Sequence, residues 1–230
     1  MTFEQDDIVA VLEYGATARA DADDYSDRDI CVFVDDVDEL TFERLRSFVG
    51  ERLSLDPRSV ACYRLSTVDE MVRGGSLFLW HLRLEGKVHY DPDGVAIEAL
   101  GALAPYNHFQ RDLRRFSDVF GDVEEEFRAT SSLSVFEVHV LSVVVRNICM
   151  LLTVRAGRPT FGRRTVHAVA RSLFPALPLS EDAWAVLMNG HLTFMRDFDC
   201  PGDSIRNCQA SQDLLATVRA VIAFADAVLD

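Results

Sequence analysis

The chain has 230 residues, 37 of them acidic and 23 basic, with a formal net charge of −14 and a mean hydropathy of +0.06. That length suits one large or two small globular domains, and the negative balance disfavours non-specific binding to nucleic acid or to an anionic membrane. Five cysteines (31, 62, 149, 200 and 208) are scattered without a CxxC or Cys/His cluster, which argues against a zinc site and for buried thiols in a reducing, cytoplasmic setting.

Taken in chain order, Phe3 to Val9 suits a short helix, Val9 to Tyr14 a strand, and Gly15 a tight turn. The start is acidic and lacks the basic region of a secretory signal. After an Asp-rich loop, the unbroken apolar run Ile30-Cys31-Val32-Phe33-Val34 reads as a buried strand. A helix is expected from about Val37 to Leu53, a strand over 59–66, and a helix over 76–86 that Gly86 stops. A short strand, Lys87-Val88-His89-Tyr90, precedes a turn at Asp91-Pro92-Asp93-Gly94.

Beyond that turn only helical patterns remain, over about 95–103, 107–128, 134–156, 163–174, 181–198 and 210–229. The most apolar of them is interrupted by Arg146 and Asn147, so a membrane span is not expected. The architecture expected is α+β: a small α/β domain over 1–94, then an α-helical bundle over 95–230. Charge divides unevenly between the two. Residues 1–93 carry 21 acids and 10 bases (−11), and residues 94–230 carry 16 and 13 (−3). Six arginines (146, 155, 158, 163, 164 and 171) fall between Val138 and Ser180 without one acid. Some of the first five are expected at a cleft facing the acidic domain or at an interface between copies, as in a homodimer.

Chemistry concentrates at the mouth of the 30–34 strand. Strand side chains alternate in direction, so Asp27 and Asp29 share a face, about 6–7 Å apart along the chain. Two carboxylates that close repel by roughly 2–3 kcal/mol at an effective dielectric near 20. A cation would remove that cost, so the pair reads as half of a metal site.

The stretch YGATARADADDYSDRDICVFV resembles the signature of the nucleotidyltransferase superfamily of polymerase-beta type, in its minimal form. Gly15, Ala18, Arg19, Asp21, Ser26, Asp27 and Asp29 match that pattern, and an α/β domain followed by helices is similar to the kanamycin nucleotidyltransferase arrangement. The resemblance implies a small mixed-sheet nucleotidyltransferase domain with a C-terminal helical domain. It implies Mg²⁺ on Asp27 and Asp29, and a nucleoside triphosphate cradled by Gly15, Ala16, Thr17, Arg19 and Ser26. A hydroxyl would attack the α-phosphoryl group while pyrophosphate leaves. Arg19 serves equally well as a phosphate ligand or as half of a surface ion pair.

Three positions depart from the pattern. Ala16 stands where the family has a serine, Ala20 where it has a glycine, and Ala61 where a third carboxylate projects from the neighbouring strand. From the helical domain, Glu137 is either an acid at a helix start or a catalytic base facing the nucleotide, with His139 beside it. The family's ribonuclease partners carry an Arg-x4–6-His pattern in their helical domain, and no arginine in the helical domain here precedes a histidine by that spacing. Two functions follow from the resemblance. One is an Mg²⁺-dependent nucleotidyltransferase acting on a protein, RNA or small-molecule hydroxyl, with an aminoglycoside the best small-molecule match to an acidic domain. The other is a catalytically weakened relative that senses nucleotide or serves in a toxin–antitoxin or defence assembly.

Overall fold

The computed structural model describes residues 7–19, 28–196 and 208–230. The chain forms two compact units, 1–107 and 108–230.

The first unit is built on a four-stranded mixed sheet. Its strands are β1 (Ile8–Tyr14), β2 (Asp29–Val34), β3 (Val60–Arg64) and β4 (Lys87–Tyr90), in the spatial order β3-β2-β1-β4. β1 runs antiparallel to both β2 and β4, while β2 and β3 are parallel. Helices cover both faces, so the central β2 is apolar beyond Asp29, with Ile30 to Val34 all at 0% exposure. One face (Val11, Ile30, Val32, Val34, Val60) packs under Leu45, Val49 and Leu53 of α2 (Glu39–Leu53). The other face (Ala10, Leu12, Cys31, Phe33) packs under three helices. They are α3 (Leu65–Arg73), α4 (Leu77–Glu85) and α5 (Val95–Gly101). A short α1 (Gly15–Arg19) follows β1 directly.

Local signals account for most of these boundaries. Asp38 caps α2, accepting from the Leu40 and Thr41 N–H groups at 2.9 and 3.1 Å, and Ser54 closes it in the left-handed region at φ 56°. Ser76 caps α4 and Gly86 ends it. α3 was not expected from the sequence. It begins at Leu65 without a local cap, and Asp36 serves instead, accepting from the Ser66 N–H at 3.2 Å and from its hydroxyl. The domain division also falls later than the sequence suggests. α5 was expected in the helical domain, yet Ala96, Leu100 and Leu103 bury against the sheet of the first unit. The helix expected over Phe3–Val9 falls mostly outside the described residues, and the strand already begins at Ile8.

The second unit is helical, with α6 (Phe109–Thr130), α7 (Val135–Arg155), α8 (Val166–Leu173), α9 (Glu181–Arg196) and α10 (Cys208–Leu229). α7 packs against the other four. That central position explains why it is apolar all round, with Leu141, Val145, Ile148, Leu151 and Leu152 each at 0% exposure. By length and composition α7 could cross a membrane, with a mean hydropathy of 1.8 over its most apolar window, but it is the core helix of this bundle. α9 approaches α7 closely at Gly190, where an added Cβ would lie 3.0 Å from the Val138 Cβ.

The thiols follow their burial. Cys31 and Cys149 are buried, Cys62 is half-buried and Cys208 is exposed, all four free, while Cys200 lies outside the described residues. Burial pushes the Cys62 and Cys149 thiols up to about 12, so neither is a nucleophile near neutrality.

Candidate active site

β1 ends at Tyr14, which pairs with Asp29 at the start of β2. Gly15 then turns the chain off the sheet at φ +74°, a backbone that only glycine adopts without strain. The turn is tightly filled. A Cβ on residue 15 would lie 3.2 Å from Asp29 Cγ and 3.5 Å from Asp29 Cβ, with the Oδ2 oxygen closer still. The Asp29 carboxylate therefore points at the Gly15 turn and occupies the space a side chain there would need. Ser26 and Asp27, expected beside it, lie outside the described residues. Among the described residues no group of three His, Cys, Asp or Glu side chains forms a metal cluster.

The surroundings of Asp29 are aromatic. Tyr14 is half-buried, and burial first, then the Asp29 charge, pushes its phenol well above the usual range. Its ring meets Phe78 edge-on at 5.3 Å and His81 at 5.4 Å. Phe78 in turn packs against Tyr63 at 5.6 Å. These residues belong to α4 and to the sheet face that α4 covers.

β3 continues that face. Cys31 pairs with Ala61, and Phe33 with Tyr63. Ala61 and Tyr63 pack with Cys31 and Phe33, whereas Val60 and Cys62 pack on the α2 side. Since direction alternates, Asp29, Cys31 and Ala61 share one face. The place where a third carboxylate is expected carries a methyl group.

The remaining sequence candidates divide. Ala16 and Thr17 lie in α1, both half-buried. Arg19 is engaged as an ion pair: its NH1 donates to Glu85 Oε2 at 2.6 Å, with side chains 20% and 15% exposed. His81 Nε2 lies 3.0 Å from the same oxygen, one helical turn away on α4. Burial raises the Glu85 pKa, but the His81 and Arg19 bonds more than offset it and hold the carboxyl below its usual range. In the helical unit, Glu137 sits in a capping box. Its side chain accepts from the Ser134 N–H, while Ser134 Oγ accepts from the Glu137 N–H at 3.3 Å. His139 is stacked between His191, at 4.9 Å, and Phe194, at 4.5 Å. Arginines of the 146–171 segment have partners within their own unit. Arg146 donates to the Phe161 carbonyl at 3.4 Å, Arg155 lies over the Phe109 ring, and Arg171 pairs with Glu181 at 2.9 Å.

No motif singles out Tyr14, His81 or Glu85. One local signal was present, the His81–Glu85 spacing of four on a helix. The contact of Glu85 with Arg19 spans 66 residues and has no local signal. A concavity of about 590 Å³ lies elsewhere, against Asp7 and the outer side of α2.

Among solved structures, the chain is similar to the spectinomycin adenyltransferase AAD(9) from Enterococcus faecialis, determined with ATP and spectinomycin. The match covers 96% of this chain and 93% of that one, with a TM-score of 0.52 and 11% sequence identity. The fold is that of a nucleotidyltransferase. No protein-family model matches the chain, and no curated protein matches it significantly. In a nucleotidyltransferase fold, the glycine turn after β1 and the aspartate opening β2 are the two places the sequence motif named, and here they touch.

Proposed function

We propose that the chain binds a nucleoside triphosphate with Mg²⁺ and transfers its nucleoside monophosphate to a hydroxyl of a small acceptor. The contact between the Asp29 carboxylate and the Gly15 turn carries this reading, and the similarity to an adenyltransferase determined with ATP supports it.

The donor chemistry fits Mg²⁺, which binds through one or two carboxylates plus substrate phosphates and keeps several waters. Asp29 is one such carboxylate, and the sequence supplies a second at Asp27. When bound, the cation neutralises charge on the phosphoryl oxygens. The chain's own residues do the rest. Gly15, lacking a Cβ, lets backbone N–H groups come near phosphate oxygens. Glu85 holds Arg19 and so anchors the end of α1 to α4. In the transfer itself, the acceptor oxygen bonds to the α-phosphorus, the bond to the β-phosphate oxygen breaks, and pyrophosphate leaves. An acidic first domain, −11 over residues 1–93, attracts a cationic acceptor, and spectinomycin in the neighbour suggests the class of small aminocyclitols and aminoglycosides.

Ala61 favours a second reading, in which the nucleotide binds but turns over slowly. General-base assistance is commonly worth about 10²–10⁴-fold in rate, and β3 offers no acid to supply it. Incubating the chain with Mg²⁺, α-labelled ATP and a panel of aminocyclitols and aminoglycosides separates the two. A labelled acceptor with matching pyrophosphate supports transfer. Saturable nucleotide binding without product supports the second reading, and absence of both refutes the proposal.

A further inference from the structure

The apolar run of β1 contains one acid, Glu13, only 6% exposed. It lies opposite Ile30, on the sheet face that α2 covers and Asp29 does not. Both of its oxygens are used. Oε1 accepts from Arg28 Nε at 2.6 Å, and Oε2 lies 2.9 Å from His89 Nε2 on β4. Burial raises the Glu13 pKa, but the bonds to Arg28 and His89 outweigh it and leave the carboxyl below its usual range.

A buried ion pair is a poor source of stability, and an apolar residue of similar volume often does as well or better. The position of Arg28 suggests another use. Arg28 immediately precedes Asp29, and consecutive residues entering a strand point to opposite faces. With Arg28 drawn to Glu13 on one face, Asp29 is directed to the other, toward Gly15. A one-residue slip at the start of β2 would exchange the two, and would bury Arg28 where the carboxylate now lies.

We propose that Glu13 is a positioning residue, which holds Arg28 on the α2 face of the sheet and thereby fixes the Asp29 carboxylate over the Gly15 turn. The proposal rests on the reading of Asp29 as a cation-binding carboxylate. Glu13 touches neither cation nor nucleotide; it acts through its neighbour's register.

Simple electrostatics and the clamp give opposite signs for one variant. Removing the Arg28 charge next to Asp29 should tighten cation binding if charge alone matters, and weaken it if Arg28 is half of the clamp. The test is a Mn²⁺ titration of the full chain by electron paramagnetic resonance, with amide exchange of the β2 segment measured in parallel. The variants are Glu13→Gln, Arg28→Gln and Arg28→Lys. Arg28 is about one-third exposed, and Glu13 keeps His89 as a partner when Arg28 is replaced. The Arg28 variants therefore carry the test if Glu13→Gln does not fold, and a melting curve of each confirms its fold. The clamp is supported if Arg28→Gln weakens Mn²⁺ by about 10- to 100-fold, as loss of an outer-shell partner does. Arg28→Lys should recover most of that loss, Glu13→Gln should weaken Mn²⁺ to a similar degree, and β2 exchange should rise in the two glutamine variants but not in Arg28→Lys. Unchanged or tighter Mn²⁺ binding in Arg28→Gln overturns the clamp and leaves the reading of Asp29 standing. No saturable Mn²⁺ binding by the unaltered chain overturns that reading, and the clamp with it.

Discussion

The Asp29 carboxylate lies in the space that a side chain on residue 15 would fill, so Gly15 and Asp29 specify each other. Gly15→Ala should therefore do two things. The left-handed backbone at φ +74° costs a non-glycine residue about 1–2 kcal/mol, and the new methyl displaces Asp29. Urea unfolding should show a loss of that order, together with loss of the nucleotide-induced rise in melting temperature. A fully stable variant with normal nucleotide binding would mean that the carboxylate is free to lie elsewhere.

Ala61 shares a face with Asp29 and is register partner to Cys31, so Ala61→Asp adds a carboxylate to the same end of the sheet. It should tighten Mn²⁺ binding and raise transfer to a competent acceptor, by up to about 10²–10⁴-fold if base assistance is what the chain lacks. Calorimetry and pyrophosphate release would measure the two effects separately. Rapid transfer by the unaltered chain, with no gain in the variant, would show that another group already takes the proton.

Arg19 and Glu85 form a pair that is about four-fifths buried. Glu85→Gln and Arg19→Gln should each destabilise the first unit by about 1–3 kcal/mol, since each leaves a partly buried partner under-satisfied. The double variant should cost less than the sum, with a coupling of about 0.5–3 kcal/mol. Additive losses in a urea double-mutant cycle would place the two residues outside a shared interaction.

The helical unit should lose stability in mild acid. Burial lowers the pKa of His139 and of His167, the latter 2% exposed and stacked on Trp184 at 5.0 Å. For His167, burial outweighs the opposing pull of the Leu179 carbonyl and of Glu181. A base with a depressed folded pKa is neutral in the fold and takes up a proton on unfolding. Its stabilisation is thus complete above the unfolded value near 6.5 and is lost as pH falls from there toward the folded value. Glu13 and Glu85, both held low, act in a lower window, losing their contribution only as pH falls below about 4.5. Amide exchange measured between about pH 7.5 and 4, corrected for the intrinsic rate at each pH, should show protection of α7–α9 falling before that of the sheet. The reverse order would contradict the assignment.

The legible parts of the fold were those with local causes. Ile30 to Val34 of β2 are apolar because both faces of the strand are covered, and period-two alternation alone puts Ala61 and Tyr63 on one face of β3 and Cys62 on the other. The long helical patterns of the second unit read correctly because each has an apolar stripe or, in α7, an apolar surface. What escaped had distant causes. The cap of α3 comes from Asp36, 30 residues away, and α3 starts straight from β3 with no breaker between them. The turn at Asp91–Gly94 resembled a boundary, yet Ala96 and Leu100 return to the sheet. In the site, the motif named Gly15, Arg19 and Asp29. It was silent on Glu13, Tyr14, His81 and Glu85, whose roles depend on contacts across as many as 76 residues. Glu137 offered two roles from sequence, and the contacts observed for it are those of a helix cap.

The most direct test of the central claim is calorimetric titration of ATP into the chain with and without Mg²⁺, beside the variant Asp29→Asn. The variant keeps the shape of the side chain and removes the charge that a hard cation requires. Expected is saturable binding that depends on Mg²⁺ in the unaltered chain and is lost in Asp29→Asn, with melting temperature little changed. Mg²⁺-dependent ATP binding of equal affinity in both proteins would contradict it, because the carboxylate over Gly15 would then have no part in holding the nucleotide.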